Sequence, residues 1–379
     1  MPENAAPLHL AVALDGAGWH PAAWREPDAD PAGLFGAPYW LALVRQAQRG
    51  LLDFVTIDDS LGIQSSRRDG PDERTDQVRG RLDAELIAAR VAPLTSNIGL
   101  VPTVTVTHTE PFHISKAIAT LDYVSTGRAG WQVRVSPRGS DADLFGRRQA
   151  PSIDDLFDEA ADVVEVVRRL WDSWDDDAII RDVASGRFVD TERLHYIGFS
   201  GKWFNVKGPS ITPRPPQGQP LVTLLAHGPV PYRLAARGAD LVFVTPRDAD
   251  SAAAIVTEIG AAAPSHVFGD VVVFLAGTEQ AARDRLARLD DRAGAEFQSD
   301  AHIFTGTPAQ LADLLLGWNA AGLTGFRLRP GAIPHDLTAI VEGLVPELRA
   351  RGRFRTEYEA STLRGLLGLT RPANRYTTA

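Results

Sequence analysis

The segment AIATLDYVSTGRAGWQVRVS, residues 117–136, decides the fold of this 379-residue chain. Apolar residues at a helical period, ending near Leu121, give way after a Ser-Thr-Gly break to residues 131–135, which alternate like a strand. We therefore expect a helix that feeds a strand. The polar loop that follows, residues 136–140, lies where an α/β enzyme carries its site, beyond the carboxyl end of a strand.

Similar strand-like runs recur along the whole chain, with amphipathic helical segments between them. Strict alternation of this kind implies a parallel sheet, and about eight repeats favour closure into a barrel. We therefore predict an α/β fold, a (β/α)₈ TIM barrel. The runs predicted as strands are residues 8–14, 54–59, 98–106, 130–135, 221–226, 241–245, 267–275 and 325–329.

Two stretches fall outside this repeat. Residues 175–219 are too long and irregular for an ordinary connection, so we predict an insertion before the fifth strand, packed through its aromatic residues. The last residues, about 351–379, have a helix-like pattern and are expected to form a helical tail that wraps the barrel or a neighbouring subunit. We expect residues 1–379 to form a single domain.

Composition and charge exclude several classes of protein. The net charge of −9 argues against a nucleic-acid partner, and no apolar run is long enough to span a membrane. The amino-terminal residues lack the pattern of a secretory signal, so we expect a cytoplasmic protein. The chain has no cysteine, and none of its nine histidines are paired at the spacing of a helical His-x-x-x-His site, so no metal is expected.

Polar residues at the predicted strand ends are the candidates for chemistry. His108 and His227 are the candidate catalytic acids or bases, and the alternative for each is a hydrogen-bonded structural role. Asp58 and Asp59 close the second strand. We read Asp58 as a helix cap or turn residue and expect Asp59, on the alternate face, to point into the barrel mouth and accept a ring N–H of a bound heterocycle.

Aromatic residues after the first strand are candidates for binding a substrate. Trp19 and Trp24 suggest an apolar or aromatic pocket, and Trp24 with Arg25 could stack on and clamp a planar or anionic ligand. The same pair could equally close a loop by a cation–π contact. The Rossmann, P-loop and serine-hydrolase motifs are all absent from the sequence.

Several longer stretches carry a resemblance to a known family. They include AQRGLLDFVTIDDSL (residues 47–61), TEPFHISKAIATLDYVSTGRAGWQVRVS (109–136) and GTPAQLADLLLGW (306–318), and they cover nearly the whole chain. The chain resembles the bacterial luciferase-like superfamily, in its nitrilotriacetate monooxygenase branch. The resemblance implies a TIM barrel with insertions. It also implies reduced FMN delivered by a separate flavin reductase, and O₂ activated through a flavin C4a-peroxide to oxygenate a small organic substrate. We expect a homodimer or a tetramer.

The resemblance also implies residues around the flavin ring. Asp59 matches a carboxylate near the isoalloxazine, and Thr103 matches a small polar residue under it. Gln132 stands where the family usually has Asn, and Val135 where its Asn-Val-Val-Thr-Ser motif has Thr. Ser136 retains the last residue of that motif.

On the phosphate side the sequence departs further from the family. Phe157 replaces a Tyr that often reaches the flavin phosphate, and a Gln-Ala-Gly-Ser-type loop has become Leu-Leu-Ala-His-Gly-Pro around Gly228. Arg134, Arg138 and His227 could supply compensating charge.

These departures leave two alternatives beside the FMN monooxygenase. One keeps the fold but uses a deazaflavin for hydride transfer, with a histidine such as His108 as the acid or base. The other is a barrel that has lost flavin binding and serves as a ligand-binding protein or as a partner subunit.

Overall fold

The computed structural model describes residues 7–260 and 263–376, and eight parallel strands in it form a closed barrel. Each of the eight strands pairs with the next of the eight along the chain, and the last strand pairs with the first, with Phe326 opposite Leu10. The predicted TIM barrel is therefore confirmed. The barrel strands are β1 His9–Leu14, β2 Phe54–Ile57, β3 Gly99–Thr105, β4 Gly130–Arg134, β5 Leu221–Leu225, β6 Leu241–Val244, β7 His266–Leu275 and β8 Gly325–Pro330.

Helices cover the outside of the barrel, and their ends carry the expected caps. For α5, the Ser152 hydroxyl accepts a hydrogen bond from the Asp155 N–H, and two arginines lie in the last turn. The helix α4 was not predicted, because its sequence reads as a polar loop. The helices are α1 Ala37–Arg49, α2 Ala84–Val91, α3 Pro111–Val124, α4 Gly139–Phe145, α5 Ile153–Trp171, α6 Pro229–Gly238, α7 Ala249–Ile259, α8 Glu279–Ala293, α9 Pro308–Ala320, α10 His335–Ala339, α11 Val345–Ala350 and α12 Leu363–Leu366.

The amino end of the barrel is closed by the C-terminal tail. Within residues 351–376 only the short helix α12 is helical, so the prediction of a helical tail is wrong. The tail does pack against the barrel, because Leu363 and Leu367 enter its interior. We call the resulting apolar cluster the barrel floor. It comprises Ala11, Phe54, Val101, Leu221, Leu241, Phe243, Phe268, Leu363 and Leu367.

The predicted insertion lies between α5 and β5 and contains two short hairpins. Its aromatic residues are only partly packed, since Phe188 and Tyr196 are each 65% exposed. That part of the expectation is wrong for these two side chains. The hairpins pair Ile179–Asp182 with Arg187–Val189 and Phe199–Ser200 with Asn205–Val206.

A further strand, His302–Gly306, was not predicted from the sequence. It pairs in parallel with the carboxyl half of β7, with His302 opposite Val271, and so extends the sheet beside the barrel mouth. Across the parts of the chain that the structure describes, no helix is both long enough and apolar enough to cross a bilayer.

Candidate active site

A cavity of about 390 Å³ opens at the carboxyl end of the barrel, where enzymes of this fold carry their chemistry. We call it the mouth cavity. Its walls are apolar on one side and charged on the other. The lining residues are Trp19, Val133, Val135, Phe157, Leu224 and Leu225, together with Asp58, Gln132, Arg134, His227, Asp300, Arg327 and Arg329.

Asp58, and not Asp59, faces the barrel mouth. Phe54 belongs to the barrel floor, and strand alternation then places Asp58 on the same inner face. The Asp59 carboxylate instead accepts hydrogen bonds from the N–H groups of Ser60, at 2.7 Å, and Ala84, at 3.0 Å, where α2 begins. The expectation that Asp59 points into the mouth is therefore wrong, and so is the reading of Asp58 as a cap.

Two carboxylates and two arginines pair across the mouth. Arg134 donates to Asp58 at 2.9 Å, and Arg81 lies 2.9 Å from Asp15 and 3.4 Å from Asp58. Burial raises the pKa of Asp15, although Arg81 opposes that shift. Burial also acts to raise the pKa of Asp58, but Arg134 and Arg81 outweigh it and hold the pKa below its usual value. Environments that push two carboxyl pKa values apart are typical of acid–base sites.

Below the mouth, a buried ion cluster fills the barrel interior. Asp270 on β7 accepts hydrogen bonds from Arg327 at 2.8 Å and from Arg329 at 3.1 Å, both on β8. Arg327 also donates to Gln132, and Arg329 lies 2.6 Å from Asp300. Sequence reasoning missed this cluster. The available signals were a lone carboxylate within an apolar ten-residue strand and two arginines spaced two apart on one strand.

The structure brings one of the two candidate histidines to the mouth cavity. His227 lines it, with its Nε2 3.3 Å from Asp300 and its Nδ1 2.9 Å from the Thr245 hydroxyl. His108 lies outside that lining and stacks on Phe145 at 5.2 Å, and both of its ring nitrogens are buried without a partner in the described chain. Burial lowers the pKa of both histidines.

Of the residues expected around a flavin ring, Gln132 and Phe157 line the mouth cavity. Thr103 lies opposite Gln132 on the neighbouring strand, and its hydroxyl is buried with no partner within residues 7–260 and 263–376. Ser136 lines an adjacent cavity instead, where its hydroxyl donates to Asp141 at 2.5 Å.

The three residues expected to bind substrate separate in the structure. Trp19 lines the mouth cavity and also a second cavity of about 190 Å³, which Trp24 shares. The Arg329 guanidinium lies 4.6 Å from the centre of the Trp19 ring. Arg25 lines neither cavity, because its guanidinium donates to the Arg292 carbonyl near the end of α8 at 2.9 Å. The prediction that Arg25 clamps a ligand is therefore wrong.

The start of α6, which follows Gly228, offers few backbone donors for an anion. Pro229 and Pro231 have no N–H, and the Tyr232 N–H already donates to the Gly228 carbonyl at 3.1 Å. Among the first three residues of the helix only Val230 therefore has an amide hydrogen. A helix start normally binds phosphate through several such groups, so this one is a weak site.

No group of three or more His, Cys, Asp or Glu side chains within the described ranges could hold a metal ion. The groups that line the mouth cavity are carboxylates, guanidinium groups, one histidine, one amide and an apolar wall. An eight-stranded parallel barrel with such a cavity at its carboxyl end defines a TIM-barrel protein of the enzyme type.

Comparison with known proteins identifies the family. Residues 18–310 match the luciferase-like monooxygenase family, and the chain belongs to it. It is 31% identical to N-acetyl-S-(2-succino)cysteine monooxygenase of Bacillus subtilis (strain 168), over 97% of this chain and 98% of that protein. It is 30% identical to nitrilotriacetate monooxygenase component A of Aminobacter aminovorans, over 97% of each.

The fold of a solved relative agrees with this assignment. The crystal structure of a long-chain alkane monooxygenase superposes with a TM-score of 0.87 at 23% identity, over 96% of each chain. The family resemblance seen in the sequence is confirmed. The chain is an enzyme, a monooxygenase of the flavin-dependent type.

Proposed function

We propose that this chain is a two-component monooxygenase that receives reduced FMN from a separate flavin reductase and uses O₂ to oxygenate a small organic substrate. The observation that carries the proposal is the mouth cavity, which lies at the carboxyl end of the barrel in a chain related to monooxygenases over nearly its whole length. Its volume of about 390 Å³ is within the range of cofactor sites.

The residues of the mouth cavity fit the ring of a flavin. Trp19, Phe157 and Leu224 provide apolar wall, while Gln132 provides an amide. The unpartnered hydroxyl of Thr103 beside Gln132 supports the same view. Leaving such a hydroxyl unpaired costs about 1–3 kcal/mol, which a heteroatom of a bound ring could recover.

The flavin phosphate needs a partner other than the start of α6, because two of the first three residues of that helix are prolines. A neighbouring cavity of about 360 Å³ shares Phe157 with the mouth cavity, and its charged lining consists of Lys202, Arg233 and Arg237 together with Asp154, Asp155 and Asp158. Lys202 is paired with Asp155 at 2.8 Å. No hydrogen bond or ion pair engages the Arg233 guanidinium among the described residues, so we propose that Arg233 binds the flavin phosphate.

Bound reduced FMN supplies the electrons that activate O₂. The chain's own part is to hold the ring between apolar walls, to exclude water and to manage protons. Burial raises the pKa of Asp15 while Arg134 and Arg81 hold that of Asp58 low, so Asp15 is the one of the two carboxylates that accepts a proton more readily. His227, held by Asp300, is a second group able to exchange a proton with the cavity.

We extend the proposal to the surroundings of the enzyme. A flavin reductase, O₂ and a small organic substrate are its partners, and it forms a homodimer or a tetramer in the cytoplasm from a single domain. Neither a metal nor a nucleic acid takes part.

Anaerobic titration of the purified chain tests the proposal. We expect saturable binding of reduced FMN that is tighter than binding of reduced deazaflavin, and productive O₂ uptake when a flavin reductase and NADH are added. Preference for deazaflavin would favour hydride transfer. No flavin binding at millimolar concentration would favour a barrel that serves as a partner subunit and would overturn the proposal.

A further inference from the structure

The cavity that Ser136 lines, at the carboxyl end of the barrel, suggests the class of substrate. The side cavity, as we call it, has a volume of about 360 Å³ and shares Arg134 and Val135 with the mouth cavity. We propose that it binds a small organic acid with an apolar end, and that Arg138 holds the carboxylate. This inference rests on the proposed function, because it names the substrate class of the same site.

Arg138 is the one charged group of the side cavity that is free to bind a ligand, within the described residues. Arg81 and Arg134 pair with carboxylates across the mouth, and Asp141 accepts a hydrogen bond from Ser136. The Arg138 guanidinium lines the cavity and has no ion pair, hydrogen bond or ring contact in the described chain, whereas the Arg138 carbonyl accepts a hydrogen bond from the Ala142 N–H. A guanidinium presents a planar fork of N–H donors that matches a carboxylate.

The charge count favours a single carboxylate. The other two arginines of the side cavity are paired with Asp15 and Asp58, and Asp141 adds one negative charge to the lining, so Arg138 is the single guanidinium left for a ligand carboxylate. A dianion would leave one of its charges without a partner, and desolvating an unpaired charge is costly. The chain as a whole carries −9, so general electrostatic attraction does not account for anion binding here.

The apolar end of the ligand would bind in a smaller cavity next to the side cavity. This cavity of about 150 Å³ shares Leu61, Ile63, Arg138 and Asp141 with the side cavity. Pro71 and Leu144 add to its apolar lining, and Ser140 is also part of the lining. A volume of about this size has room for a benzene ring. Arg138 therefore lies where a carboxylate and a ring or short alkyl chain of about six carbons could bind together.

Calorimetry on the whole chain with phenylacetate and its neutral isostere phenylacetamide tests this site. We expect the wild-type protein to bind phenylacetate at least about tenfold more tightly than the amide, as expected of a hydrogen bond to a charged group. R138Q should bind the two equally, and R138K should fall between. The control R68Q removes an exposed arginine that lines neither cavity and should retain the full preference.

The apolar part is tested with acetate, butyrate and hexanoate. If the small cavity takes the chain, affinity should rise about fourfold for each methylene buried. Affinity that does not change with chain length would contradict this half of the inference.

The outcomes separate this inference from the proposed function. If phenylacetate fails to bind the wild-type protein, or if R138Q retains the preference over the amide, the inference is wrong. Equal binding of reduced FMN to wild type and R138Q would then leave the proposed function standing. If phenylacetate binds through Arg138 while no flavin binds, the organic-acid site stands and the proposed function fails.

Discussion

At its amino end the barrel interior is filled by apolar side chains such as Phe54, Val101 and Leu363, whereas closer to its carboxyl end it holds Asp270, Arg327 and other ionised groups. The apolar floor stabilises the fold by about 25 cal/mol for each Å² it removes from water. Buried ion pairs rarely add stability, because desolvation offsets their attraction. The charged end therefore reflects the requirements of the site, and the apolar floor reflects those of folding.

The strongest test of this contrast removes the negative charge at the centre of the buried cluster. Asp270→Asn leaves Arg327 and Arg329 buried without their shared carboxylate, and should lower the free energy of unfolding by about 3–5 kcal/mol in urea denaturation. Asp313→Asn breaks an Arg–Asp pair in which the aspartate is 71% exposed, and should cost less than about 1 kcal/mol. Equal losses from the two variants would contradict the assignment of the cluster as desolvated.

At the opposite end, Leu363→Ala should damage folding but spare the site. The side chain is fully buried in the barrel floor, so its removal should cost about 2–4 kcal/mol of unfolding free energy. Binding of reduced FMN by the folded fraction should be unchanged. Leu86→Ala, at a position 69% exposed, is the control and should be nearly neutral. A loss of flavin affinity in the Leu363 variant would show that the two ends are coupled.

The same contrast explains what could be predicted from sequence. Each of the eight barrel strands was located, because strands covered on both faces are apolar runs between turn residues. That same property hid which face points inward. On β2, Phe54 and Val55 are equally apolar, so the inner face could not be chosen and Asp58 was confused with Asp59. The resemblance to a family could not correct this, because it matched residues and not orientations.

The rest of the site depended on long-range pairing. Asp270 meets Arg327 only when β7 pairs with β8, and Arg329 reaches Asp300 on a third segment. An arginine inside a strand normally predicts an exposed face, and it is buried here only because a carboxylate on the adjacent strand pairs with it. The tail was misjudged for a related reason. Its leucines have a helical period, but packing into the barrel floor determines its conformation.

The contribution of histidines to the pH dependence of unfolding should also differ between the two ends of the barrel, and the expected effect is smaller. Burial lowers the pKa of His266 at the amino end, where His9, Asp53 and Asp240 also act on it and the Leu367 carbonyl accepts its Nε2–H. As pH falls through the ordinary histidine value, the unfolded chain takes up a proton that the folded chain does not. Stability should therefore fall below about pH 6.5, by at most about 1.4 kcal/mol per pH unit for this group.

Unfolding free energies measured at pH 7.5 and 5.5 check this sign. His266→Gln should reduce the loss of stability between the two pH values. His227→Gln is the matched variant at the carboxyl end. Burial lowers the pKa of His227 as well, but its side chain is 42% exposed. His227→Gln should therefore change the loss of stability between the two pH values less than His266→Gln does. A larger effect at His227 would mean that the charged end also governs the pH dependence of folding.

The smallest expected effect concerns the phosphate end of the flavin. Phe157 lies on the wall between the mouth cavity and the cavity of Arg233. Phe157→Tyr introduces the hydroxyl that the family resemblance implies at this position, and one added hydrogen bond of about 0.5–1.5 kcal/mol should tighten binding of reduced FMN about two- to tenfold. Riboflavin, which lacks the phosphate, should bind both proteins alike. Phe188→Tyr, at an exposed position in the insertion, should change neither affinity. If F157Y tightens riboflavin as much as FMN, the hydroxyl acts on the ring, and the assignment of the phosphate to the Arg233 side is wrong.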